Sequence, residues 1–122
     1  MFELKKTFHF EAGHVLKHHD RKCNKPHGHS YTLVLSIHNE DLIASGPKTN
    51  MVVDFGDVSQ VVKPMIQEYL DHQWLNETLN TESPTVEFIA RWVYRYLKPH
   101  LPLLKSVTVC ETNTSKASYW ET

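Results

Sequence analysis

Apolar and polar residues alternate along the start of the chain. In "FELKKTFHFEAGH" the even positions carry Phe2, Leu4, Phe8, Phe10, Ala12 and His14, broken only by Lys6, which is the period-two pattern of a half-buried strand. His14 therefore shares the apolar face. "HGHSYTLVLSIHN" repeats the alternation on odd positions, with His27, His29, Tyr31, Leu33, Leu35 and Ile37 on one side. Two more imidazoles thus point inward. The turn-rich "NEDLIASGPKTN" joins this strand to a short third one expected at "MVVDF".

The period then changes. Val58, Val61, Val62, Met65, Ile66, Tyr69 and Leu70 recur at helical spacing, with Asp57 as expected N-cap and Gln60 completing a capping box. Pro64 should kink this helix, because it cannot donate to the Gln60 carbonyl, and the helix should run out near "LDHQWLN". A second helix is expected in "SPTVEFIARWVYRYLK", with Ser83 as N-cap, Pro84 at the first helical position, and a stripe of Val86, Ile89, Ala90, Val93, Tyr96 and Leu97. Pro99 stops it. "KSVTVCETN" returns to alternation, with Val107, Val109 and Glu111 on one face, and "ASYWE" reads as a last short strand. Strands at both ends with two helices between them make an α+β fold, the helices lying on one face of an antiparallel sheet.

A chain of 122 residues supports one domain, spanning 1–122, with a single core. The net charge of -1 and the lack of a sustained basic block argue against a nucleic-acid binder and favour a small-molecule ligand. No apolar run is long enough for a membrane helix, and "MFELKKTFHF" alternates where a leader would carry an apolar core. A cytoplasmic protein is expected. The two cysteines, Cys23 in a polar loop and Cys110 in an apolar run, then read as free thiols.

Nine histidines in so short a chain are unusual. His27 and His29, two apart on an extended chain, project to the same side and can share one cation. With His14 inward on a neighbouring strand, three neutral nitrogens would leave a coordination position open, as in catalytic zinc sites. A surface His-Gly-His turn beside a hydrogen-bonded core histidine is the other reading of the same residues. Cys23 sits among Arg21, Lys22 and Lys25, cations that favour a thiolate, although an idle surface cysteine fits that stretch equally well. Cys110 reads as a thiol packed like a small hydrophobe. Asp71 beside His72 is either an acid/base pair, which requires the helix to have unwound there, or a plain helix C-terminus. Glu111, in phase with Val107 and Val109, should be partly buried and needs a cationic or multiple-donor partner: a Lys or Arg across the sheet, or a ligand with a fork of N–H groups. Glu87 near the start of the second helix is first a favourable dipole charge.

Taken in order, "FHFEAGH", "CNKPHGHSY", "NMVVDFGDV", "LDHQWLN", "SPTVE" and "VTVCET" resemble the 6-pyruvoyltetrahydropterin synthase superfamily over nearly the whole chain. The three residues between Cys23 and His27 resemble the compact loop of its bacterial carboxy-tetrahydropterin branch, and Cys23 itself speaks against the hydroxymethyl branch. One departure is Phe88, where relatives often have asparagine. The resemblance implies zinc on His14, His27 and His29, a catalytic Cys23 with Asp71 and His72, a pterin-gripping Glu111, and Thr85 and Glu87 near the pterin pocket at a subunit boundary. It also implies the tunnelling fold: an antiparallel four-stranded sheet with two helices on one face, sheets of several subunits joining into a barrel, usually a hexamer of two trimers. The activity implied converts 7,8-dihydroneopterin triphosphate to 6-carboxy-5,6,7,8-tetrahydropterin, releasing acetaldehyde and triphosphate on the route to queuosine. Triphosphate elimination without carbon–carbon cleavage, or a zinc-stabilised module without turnover, are the alternatives.

Overall fold

In the computed structural model, which describes all residues except the side chain of Lys22, two long strands carry the expected alternation. β1 (Phe2–His14) and β2 (His27–Asn39) pair antiparallel along their whole length, from Phe2 opposite Asn39 to His14 opposite His27. Phe8, Phe10 and Ala12 of β1 and Tyr31, Leu33, Leu35 and Ile37 of β2 are buried on one face. Because side chains alternate, Glu11, Gly13, Gly28 and Ser30 fall on the other.

β3 (Gln73–Trp74) adds a two-residue parallel strand to the free edge of β1. β4 (Leu104–Thr112) pairs antiparallel with β2, and β5 (Ser115–Tyr119) closes the order β3-β1-β2-β4-β5. The sheet is therefore five-stranded and mixed, not four-stranded and purely antiparallel, although its four long strands are antiparallel neighbours. "MVVDF" forms no strand: Val52 is buried, and Asp54 instead caps the helix that follows.

That helix, α1 (Phe55–Met65), begins where the Gly56 N–H donates to Asp54 Oδ1 at 2.8 Å, so Asp54 and not Asp57 is the cap. Val58, Val62 and Met65 face the core. Beyond Pro64 the chain widens into a π turn, Ile66–Leu70, closed by the Asp71 N–H on the Ile66 carbonyl at 2.7 Å. Proline removes one rung of the helical ladder, and the slack is taken up in the next turn.

The short α2 (Leu75–Thr78) buries Leu75 and leads to α3 (Val86–Leu97). Thr85, not Ser83, caps α3, accepting from the Phe88 N–H at 3.2 Å. Its buried stripe is Ile89, Ala90, Val93, Tyr94 and Leu97, whereas Tyr96 is exposed and stacks on Trp92. α1 and α3 thus cover one face of the sheet around a single core, each fully buried aliphatic side chain contributing about 1.5–3 kcal/mol. The candidate metal-binding histidines lie at the end of the sheet where β1 stops and β2 begins.

Candidate functional site

β1 delivers His14 and β2 delivers His27 and His29 to the helix-facing side of that end, as the alternation of both strands requires. The three rings stand edge to face, with centroids 4.5 Å apart for His14 and His27, 5.2 Å for His14 and His29, and 4.9 Å for His27 and His29. One nitrogen from each ring lies within 4.8 Å of the others.

Backbone carbonyls set the tautomers. His14 Nδ1 lies 2.9 Å from the Pro84 carbonyl, and His27 Nδ1 lies 2.8 Å from the Lys25 carbonyl. A carbonyl only accepts, so both Nδ1 atoms carry the proton and both Nε2 atoms present bare lone pairs in the neutral rings. Those two Nε2 atoms face each other at 3.0 Å. His29 Nε2 is buried without any hydrogen-bond partner. A buried polar atom left unpaired costs about 1–3 kcal/mol, and two converging lone pairs with an unpartnered third nitrogen beside them call for a cation. Burial holds the His14 imidazole below the usual histidine range, with the Pro84 carbonyl pulling the other way, which keeps the ring neutral and able to ligate. The donor set fits a divalent transition metal such as zinc.

Glu111 Oε1 stands 3.6 Å from His29 Nε2, half-buried on β4. Among the described residues no Lys or Arg lies within ion-pair reach of this carboxylate, so its two oxygens remain available to a donor-bearing ligand. Tyr31 lines the inner side, stacked on Phe10 with centroids 4.8 Å apart, and its hydroxyl is 3.4 Å from His14 Nδ1. Burial pushes the Tyr31 phenol up, with the Glu111 charge adding to it.

Cys23 is half-buried in the 3-10 turn Lys22–Asn24 of the β1–β2 connection, where its carbonyl accepts from the Leu16 N–H at 2.9 Å. Arg21 and Lys25 are exposed beside it, and the side chain of Lys22 lies outside the described residues. Cys110 is half-buried on β4, in register with Thr32.

Asp71 and His72 sit across β1 from β2, where the helix has ended. His72 adopts a left-handed φ of 58°, which turns its Nδ1 onto Asp71 Oδ2 at 3.0 Å. Asp71 Oδ1 accepts from the Glu11 N–H at 2.9 Å, and the His72 N–H donates to the Glu11 carbonyl at 2.5 Å. These bonds to Glu11 and His72 hold the Asp71 carboxyl below the usual range. His72 opens onto a shallow hollow lined also by Glu11, Gly13, Gly28 and Trp74. That is the face of the sheet turned away from the helices, and Glu111 lies on the opposite flank of the histidines. A single chain therefore gathers His14, His27, His29 and Glu111, while the paired Asp71 and His72 lie beyond β1, and His29 borders the same hollow as His72.

Thr85 acts as the α3 cap, two residues after Ser83 and directly after Pro84, and Glu87 is exposed in the first turn of α3. The carbonyls of Pro84 and Lys25 were not foreseeable as orienting groups, because a backbone acceptor carries no side-chain signature.

Three inward imidazoles beside a half-buried carboxylate on an α+β sheet define a candidate metal-binding site. The chain belongs to the 6-pyruvoyl tetrahydropterin synthase family, whose model matches residues 3–122. It is 41% identical over 121 residues to a 6-carboxy-5,6,7,8-tetrahydropterin synthase of Synechocystis, covering 98% of this chain and 94% of the relative. A protein of the same description from Haemophilus influenzae is 34% identical, with 99% and 100% covered. The fold is similar to that of the Caenorhabditis elegans 6-pyruvoyl tetrahydropterin synthase, with a TM-score of 0.83 at 24% identity and 99% and 96% of the two chains covered.

Proposed function

We propose that the chain is a zinc-dependent lyase that converts 7,8-dihydroneopterin triphosphate to 6-carboxy-5,6,7,8-tetrahydropterin, releasing acetaldehyde and triphosphate with consumption of one water. The observation that carries this reading is the convergence of three imidazole nitrogens, one of them buried without a partner, next to the unclaimed carboxylate of Glu111. The identity to relatives described as carboxy-tetrahydropterin synthases supports the branch, as does the compact gap between Cys23 and His27.

Glu111 accepts the N–H edge of the pterin and fixes the ring, a charge-assisted contact. Zinc held by His14, His27 and His29 supplies a Lewis acid for the oxygens of the substrate side chain. Cys23, as thiolate, takes a proton from the side chain, and the Asp71–His72 pair returns one, Asp71 orienting the ring. Thr85 and Glu87 border the pterin pocket through the start of α3. The enzyme assembles as a homohexamer of two trimers, with the start of α3 at a subunit boundary. The assembled enzyme works in the cytoplasm on a pathway to queuosine.

Incubating the zinc-loaded protein with 7,8-dihydroneopterin triphosphate tests the reading. Equimolar acetaldehyde and 6-carboxy-tetrahydropterin support it, whereas turnover without acetaldehyde assigns the pyruvoyl or hydroxymethyl branch and absence of turnover contradicts catalysis.

A further inference from the structure

Asn76 touches none of the histidine rings, yet its amide joins the two backbone segments that hold His14. β1 ends at His14, so the next peptide, at Val15, has no strand partner in the sheet. Asn76 takes the place of that partner: its Oδ1 accepts from the Val15 N–H at 2.8 Å, and its Nδ2 donates to the Val15 carbonyl at 2.8 Å. The same Nδ2 donates to the Glu82 carbonyl at 3.2 Å. Glu82 lies two residues before Pro84, whose carbonyl receives the His14 Nδ1–H at 2.9 Å.

The Glu82 carbonyl also accepts from the Lys17 N–H at 3.2 Å, and an exposed contact between His18 and Glu82 at 2.5 Å adds to the seam. Asn76 is itself fixed, because it follows the fully buried Leu75 at the start of α2. One side-chain amide therefore ties the backbone next to His14 to the segment whose carbonyl selects its tautomer.

We propose that Asn76 is a positioning residue for the metal site, fixing the His14 ring with its bare Nε2 toward His27 and His29 by clamping Val15 to the 82–84 segment. The proposal rests on the three-histidine cation reading above for its metal consequence, but its effect on the ring exists without metal. Partners that orient a ligating histidine typically change metal affinity by about 10- to 100-fold when removed.

The experiment uses Asn76→Ala, Asn76→Asp and a control, Thr78→Ala, which removes a comparable bond on α2, from Thr78 Oγ1 to the Tyr69 carbonyl, with no link to His14. Zn2+ affinity is read by chelator competition, and the His14 tautomer by 15N NMR of the metal-free protein. Asn76→Ala should bind Zn2+ about 10- to 100-fold more weakly and lose the single Nδ1–H tautomer of His14, while Thr78→Ala keeps both. If Asn76→Ala does not fold, the isosteric Asn76→Asp carries the test, since it keeps the acceptor for Val15 and loses both donors. Unchanged affinity and tautomer in the Asn76 variants overturn the proposal, as do equal losses in Thr78→Ala. Should the wild type bind no Zn2+, the cation reading fails and the tautomer alone decides the role of Asn76.

Discussion

The Nε2 atoms of His14 and His27 face each other at 3.0 Å across the last rung of an antiparallel strand pair. Each ring has its other nitrogen committed to a backbone carbonyl, so neither can donate to its neighbour while both are neutral. His29 Nε2, buried and unpartnered, completes the set. From this relationship follow several measurable consequences.

Removing the metal should leave the fold. The apolar core, built from residues such as Phe10, Leu33, Leu35, Val58, Val93 and Val107, is continuous without a metal, although His14 is buried at its edge. Chelation should therefore preserve the far-UV circular dichroism and lower stability only by the linkage amount, about 2.7 kcal/mol where free zinc had been 100 times its Kd. Global unfolding on chelation would instead mark a structural zinc module.

Cys23→Ala should retain zinc content and oligomer size and lose turnover by about 10²- to 10⁴-fold, the usual contribution of a positioned proton-transfer group. Zinc content by mass spectrometry and single-turnover kinetics check both halves. Loss of zinc in this variant would make the thiol a ligand.

Glu111→Gln should keep zinc and weaken pterin binding by about 10- to 100-fold, since hydrogen bonds to a charged partner contribute about 1.5–3 kcal/mol. Fluorescence titration with a product-like pterin gives the affinity directly, and an unchanged value would remove Glu111 from the ligand pocket.

The strands were legible because period two was clean, and the histidine triad was legible with them: one phase assignment places His14, His27 and His29 on the buried face together with Phe10, Tyr31 and Leu33. β3 was not. Two residues, Gln73 and Trp74, carry no periodicity, and a parallel edge pairing needs no turn signal beside it. "MVVDF" looked like a strand because its valines are β-branched, yet Val52 packs into the core without joining the sheet. Ser83 and Thr85 are both good caps, and only the backbone path through Pro84 decides between them. Tyr94 and Tyr96 are likewise separated by the rotation of α3 against the sheet, which spacing alone does not define.

Asp71 links the π turn to β1, and its ionisation should be visible in acid. Its folded carboxyl is depressed, chiefly by the Glu11 N–H and then by His72. The interaction is thus fully present above the ordinary aspartate range and is lost as pH falls through the lower, folded value. The Glu11 amide resonance followed against pH should show a midpoint below that ordinary range, and the transition should vanish in Asp71→Asn. A midpoint at or above the ordinary range would contradict the bonding described here.

The most direct test of the central claim is X-ray absorption at the zinc edge of the fully loaded wild-type protein. An open three-histidine site predicts a first shell of nitrogen and oxygen at about 2.0–2.1 Å, with imidazole scattering beyond it and no sulfur. A Zn–S contribution near about 2.3 Å would place Cys23 or Cys110 on the metal and contradict both the open site and the role given to the Cys23 thiol.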